Sequence, residues 1–244
     1  MKKILINYAH NGFYHSQARN TQTALSTGGF TDTIQYRFED LDNDFIRKNY
    51  HILSQRRGAG YWLWKPYIIL KTLESMNDDD ILLYSDAAIE FVGNMKDYFD
   101  MCKSDEKGIV LFYNSHHLNY TWTKRDCFIL MGLDTFSPPG DHTPSAGYSR
   151  QLTAALQMCR KTDFSLSFFR EYLRLAQDPR IITDLPNTLG KPNYDGYIEH
   201  RHDQSIVSLL RYKYNVTAKE EISQWGLHSG FGHEVLVDHH RRKS

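Results

Sequence analysis

ILLYSDAAIEF, residues 81–91, is the stretch whose reading decides the fold. Bulky apolar residues follow the turn-forming run Asn77-Asp78-Asp79-Asp80 and stop at Asp86, the pattern of a short strand buried on both faces. A strand that ends on aspartate puts a carboxylate at the carboxyl edge of a sheet, where open α/β folds bind ligands. The plainer alternative is an aspartate that caps the next turn. Working outward, KILINY at 3–8 and IVLFY at 109–113 also read as strands, and 32–38 alternates in the strand manner. Helical patterns are expected at 44–53, 66–76, 150–160 and 165–177, and from Asp203 onward; 10–22 and 185–196 read as polar loops. This alternation, with no repeat and no low-complexity linker, predicts an α/β layer structure with residues 1–244 forming one domain.

Composition removes several function classes. Lys plus Arg equals Asp plus Glu at 29 each, so no global field draws the chain to nucleic acid or to an anionic membrane, and any bound anion must meet a local cluster. Aromatic residues make up 14% of the chain, which suits surfaces that stack on sugar or base rings. Cys102, Cys127 and Cys159 form neither a CxxC pair nor an even set, so a disulfide framework and a zinc site are both disfavoured and a reducing cytoplasm is expected. The N-terminal apolar run is too short for a signal segment, and no window approaches the roughly 18 apolar residues of a membrane span. Peripheral membrane contact remains compatible with this reading.

Three further stretches carry chemistry. RRGAGYWLWKP, residues 56–66, sets Lys65 against Pro66 at an expected helix start, where an ammonium and free backbone N–H groups together form an anion site. Tyr61, Trp62 and Trp64 would supply walls, with one tryptophan in the core. In HRHDQSIVSLL, residues 200–210, Asp203 and Gln204 open a helix and could orient a substrate; a cap stabilising the helix by about 1 kcal/mol is the alternative. Histidines gather late in the chain, at His200, His202, His228, His233, His239 and His240.

LLYSDAA resembles the DxD strand of glycosyltransferases with the GT-A fold, matching at Leu82, Leu83, Tyr84 and Asp86, while Ala88 replaces the second aspartate. Glu90 would lie roughly 13 Å from Asp86 along an extended strand, too far to share an ion. HRHDQSIVSLL resembles the DQxxLN segment of glycosyltransferase family 8, and RRGAGYWLWKPYIILKTL a basic helix start found in bacterial and viral glycosyltransferase-like proteins. SAGYSRQL resembles an Asn-Ala-Gly region, with Ser145 in place of asparagine. The resemblance implies one GT-A, Rossmann-like domain with a mixed, mostly parallel central sheet flanked by helices. It implies a metal-assisted, retaining hexosyl transfer from a nucleotide sugar, a UDP-sugar first, to a carbohydrate or other hydroxyl acceptor in polysaccharide or glycoconjugate synthesis. Asp203 and Gln204 would be catalytic, Tyr8, Lys65, Asp86 and Arg241 would hold the donor, and Asp86 with His239 or His240 would hold Mn²⁺ or Mg²⁺. Ala88 favours the rival class, a non-catalytic nucleotide-sugar or carbohydrate binding module that kept the fold. A nucleotidyltransferase is disfavoured because 7–20 lacks a glycine-rich basic loop.

Overall fold

The computed structural model describes residues 1–135, 145–224 and 234–240. Among the described residues nine strands form two sheets: β1 (Lys3–Tyr8), β2 (Asp32–Tyr36), β3 (Ile81–Ser85), β4 (Ile89–Phe91), β5 (Ile109–Leu118), β6 (Arg150–Arg160), β7 (Thr217–Lys219), β8 (Ser223–Gln224) and β9 (Val237–His239). The main sheet has the order β2-β1-β3-β6-β5-β7 and the small one β4-β9-β8. In the main sheet β6 runs antiparallel to both β3 and β5, while the β1–β2, β1–β3 and β5–β7 pairs are parallel. The expected α/β class and mixed, mostly parallel sheet are therefore observed.

The longer helices are α1 (Tyr14–Thr23), α2 (Trp64–Ser75), α3 (Lys96–Ser104), α4 (Asp163–Ala176) and α5 (Asp203–Tyr214). Strand alternation sorts side chains between two cores. Ile4, Ile6, Leu82 and Tyr84 point to the side packed by Ile68 of α2, Phe168 of α4 and Leu209 of α5, and Leu5, Ile81 and Leu83 to the side packed by Phe99 of α3. Each fully buried side chain of this size contributes about 1.5–3 kcal/mol on leaving water. Among the described residues no helix is long and apolar enough to cross a membrane.

Two elements depart from the sequence reading. Residues 150–160 form β6 rather than a helix. Their Ala-Ala-Leu-Gln composition suits a helix, but the strand lies between β3 and β5 with Gln151 to Cys159 all buried, so burial on both faces erases strand alternation. The supposed loop at 10–22 contains α1, whose buried face is Ser16, Gln17 and Asn20. Gln17 and Asn20 join one buried network: Gln17 Nε2 donates to Asn7 Oδ1 at 3.0 Å, Asn7 Nδ2 to Asn20 Oδ1 at 2.7 Å, and Asn20 Nδ2 to Ser85 Oγ at 2.9 Å. A helix that buries polarity shows no apolar period. The network ties β1 to the end of β3, just before Asp86.

Ahead of α2, residues 58–62 all take positive φ, at 56°, 50°, 97°, 52° and 59°. A Cβ added to Gly60 would stand 2.6 Å from Leu53 Cα, whereas one on Gly190, φ +75°, would meet nothing within 4 Å. Gly60→Ala should therefore lower stability by more than the about 1–3 kcal/mol of dihedral strain alone, and Gly190→Ala by no more than that. Urea denaturation of the two variants compares them, and equal losses would mean the 58–62 turn readily relaxes.

Candidate active site

The left-handed turn aims the aromatic residues. Tyr61 N donates to Arg57 O at 2.7 Å, Trp62 N to Gly58 O at 3.2 Å, and the Trp64 indole N–H to Gly58 O at 3.0 Å. Left-handed backbone costs roughly 1–2 kcal/mol per non-glycine residue, which Ala59, Tyr61 and Trp62 each incur. The turn sends Trp64 into the core, where its ring stacks on Tyr8 at 3.9 Å, and lays Trp62 on the His202 ring at 5.4 Å.

Lys65 follows, 2% exposed, in the first turn of α2. Its ammonium stands 2.7 Å from Asp203 Oδ2 at the start of α5 and 3.4 Å from Asp86 Oδ1 at the end of β3, and donates to Ala154 O of β6 at 3.2 Å. The Asp203 contact is a close ion pair, and Oδ2 itself is buried. Burial works hardest against the Lys65 charge, yet Asp203 and Asp86 outweigh it and hold the ammonium above its ordinary pKa. Burial pushes the Asp203 carboxyl up to about 6 against the pull of Lys65. Tyr84 donates to Asp86 Oδ1 at 2.6 Å, and Tyr172 to the Asp203 carbonyl at 3.0 Å. Four elements thus meet at one buried cation.

These groups open onto a cavity of about 460 Å³. Asp86, Asp203, Gln204 and His239 of the expected site residues line it together with Lys65. Gln204 Nε2 donates to Gln151 Oε1 at 2.7 Å, which fixes the amide and leaves Gln204 Oε1 as its acceptor atom. Arg57 and Arg201 bring positive charge to the wall. A second hollow of about 440 Å³, lined by Tyr8, His10, Phe13 and Trp64, adjoins it and shares Trp62, Asp86 and Ala88 with it. Tyr8 belongs to this aromatic hollow rather than to the carboxylate cavity. His240 follows the last residue of β9, and Arg241, His228 and His233 lie outside the described residues.

Lys65, expected to face a donor phosphate, lines the cavity with its ammonium set against two carboxylates and a carbonyl. Glu90 is engaged by Arg19 through two 2.9 Å hydrogen bonds. The resemblance also implies a divalent ion, and the described residues do not fit one. Position 88 is alanine, Asp86 Oδ1 already faces Tyr84 and Lys65, and among the described residues no three His, Cys, Asp or Glu side chains are grouped to hold a metal. Arg57 and Arg201 as cavity residues, and Gln151 as the buried partner of Gln204, were not singled out in the sequence; Gln151 sits in the misread strand, while Arg57 was visible only as part of a basic run.

No protein-family model matches the chain, and no curated protein matches it in sequence. Solved structures do. Mouse xyloside xylosyltransferase 1 superposes with a TM-score of 0.55 at 9% identity, over 98% of this chain and 97% of that one. The galactosyltransferase LgtC, in complex with donor and acceptor sugar analogs, superposes at 0.48 with 12% identity over 97% and 86%. A glycosyltransferase involved in glycosylation of the major capsid of PBCV-1 does so at 0.46 with 11% identity over 98% and 93%. The chain has the GT-A fold.

Lys65→Met leaves Asp203 buried without its cation, and removing one partner of a buried pair costs about 3–5 kcal/mol. Without the lysine's pull the Asp203 carboxyl binds its proton more tightly than in the native chain, so the deficit should shrink as pH falls toward about 6, where the native Asp203 itself takes up its proton, and level off below that. Urea denaturation at several pH values reads both effects, and a loss below 1 kcal/mol at pH 8 would contradict the clamp.

Proposed function

We propose that the protein is a glycosyltransferase that moves a hexose-type sugar from a nucleoside diphosphate donor to a carbohydrate or other hydroxyl acceptor. The observation that carries this reading is the convergence of Asp86, Asp203 and Gln204 in one cavity at the carboxyl edge of the sheet, next to an aromatic hollow. Tyr8 and Trp64 suit a nucleotide base, with UDP the first donor to test; Asp86 and Ala88 lie where the two hollows join and suit the link between base and sugar. The larger cavity then takes the sugar.

In the proposed reaction the bond from the anomeric carbon to the diphosphate breaks and its electrons stay on the leaving phosphate. The acceptor oxygen bonds to that carbon, and its proton passes to the phosphate. Asp203 and Gln204 Oε1 stabilise the positive charge that develops at the anomeric carbon, while Arg57 and Arg201 favour the departing anion. The Asp-Gln pair supports retention of configuration. No step is assigned to Mn²⁺ or Mg²⁺, since the described donor set does not suit either. All three cysteines are buried and unpaired, which supports a cytoplasmic setting.

Ala88 and the poor metal fit favour one alternative, a binding module without turnover. Asp203→Asn separates the two. For the enzyme, this variant binds the donor within a few-fold of the native chain while transfer falls by roughly a hundredfold or more. Native turnover should rise with pH through about 6 as Asp203 ionises, a limb the variant lacks. Donor binding without transfer or hydrolysis by the native chain, across UDP-, GDP-, dTDP- and CMP-sugars, would leave the binding module standing.

A further inference from the structure

His202 precedes the Asp-Gln pair and is left over from the chemistry above. Its backbone sits at φ 53°, ψ −120°, a region that side chains other than glycine rarely enter. Such strain persists where the surroundings over-determine it, and it clusters at ligand sites. The side chain is 2% exposed and lines the larger cavity beside Asp203 and Trp62.

The two buried histidines of this segment differ in one respect. His200 uses both ring nitrogens inside the protein: Nε2–H donates to Ile181 O at 2.7 Å, and Nδ1 accepts from Lys124 N at 3.3 Å. His202 uses one. Its Nδ1–H donates to Ile182 O at 2.8 Å, which fixes the tautomer and leaves Nε2 as the acceptor. Nε2 is buried and has no hydrogen-bond partner; Asp184 Oδ1 is 3.8 Å away, beyond hydrogen-bond reach. Burial lowers the ring pKa to about 4, so at neutral pH this nitrogen accepts and does not donate. Tyr61 at 5.0 Å and Trp62 at 5.4 Å hold the ring in place.

A buried acceptor without a partner, on the wall of a cavity and locked in orientation, is a group that awaits a donor. Carboxylates and carbonyls cannot supply one, whereas a sugar hydroxyl can. We infer that His202 is a specificity-determining residue whose Nε2 accepts a hydrogen bond from a hydroxyl of the sugar bound in the larger cavity. This rests on the nucleotide-sugar reading above. It adds a residue that reads the sugar and leaves the nucleotide to Tyr8 and Trp64.

The test compares two affinities in each protein. Calorimetry with UDP and GDP measures the nucleotide portion, and UDP-glucose, UDP-galactose, UDP-xylose and GDP-mannose add the sugar. His202→Phe keeps a ring between Tyr61 and Trp62 but carries no acceptor. It should bind the preferred nucleotide sugar roughly 10- to 100-fold more weakly, as expected when a buried polar group loses its partner, and bind the parent nucleotide like the native chain. His202→Gln, whose Oε1 can stand near the lost Nε2, should fall between the two.

Retained affinity of His202→Phe for the nucleotide sugar would overturn the inference. So would an equal loss for nucleotide and nucleotide sugar, which marks a structural role. If the phenylalanine variant does not fold, His202→Gln alone decides by the same comparison: a loss confined to the nucleotide sugar supports the inference, and any other result overturns it. A native chain that binds none of these probes would remove the nucleotide-sugar reading itself and this inference with it, an outcome distinct from selective failure of the variants.

Discussion

A buried ammonium must be matched by negative charge, and Lys65 meets that requirement with Asp203 at 2.7 Å and Asp86 at 3.4 Å. The positions of four elements follow from it. The first turn of α2 carries the lysine, β3 ends where Asp86 reaches it, α5 begins where Asp203 does, and β6 offers the Ala154 carbonyl. Two carboxylates on separate elements would otherwise repel one another across the cavity. With the cation between them they become one preorganised group, the condition for electrostatic stabilisation of a developing charge.

Strain accompanies that arrangement on both sides of the cavity. Residues 58–62 and His202 occupy left-handed or rarer backbone regions, and their rings meet through the Trp62–His202 stack. Each such residue other than glycine costs of order 1–3 kcal/mol, so the surrounding packing has to impose them. The buried network of Asn7, Gln17 and Asn20 fixes β1 and β3 nearby, while His200 and His202 anchor the start of α5 to consecutive carbonyls of Ile181 and Ile182. The aromatic and basic stretch at 56–66 therefore serves two ends: it turns the chain sharply, and it delivers the lysine.

Much of the fold was legible because its strands are short apolar runs. KILINY is β1 to the residue, ILLYS is β3, and α5 opens at Asp203 as its sequence indicates. What failed did so for a common reason. In β6 both faces are covered, so the period of two vanishes; in α1 the buried face is polar, so the period of 3.6 carries no hydrophobic signal. The small sheet is built from strands of two or three residues, below what a pattern can register. At the site, Asp86, Asp203 and Gln204 could be chosen from the ends of their elements, and they do converge. The role of Lys65 could not, because helix position says nothing about which carboxylates will surround the ammonium. Gln151 was hidden by the misread strand, and the tautomer of His202 depends on a carbonyl twenty residues away in sequence.

Whether the lysine clamp creates a sugar-transfer site is most directly tested by ³¹P NMR of nucleotide sugars incubated with the native chain and with Lys65→Met, at a temperature where both remain folded. Release of nucleoside diphosphate from at least one donor by the native chain, and its near absence with Lys65→Met, is the expected result. No release from any UDP-, GDP- or dTDP-sugar by the native chain, or undiminished release by the variant, would contradict it.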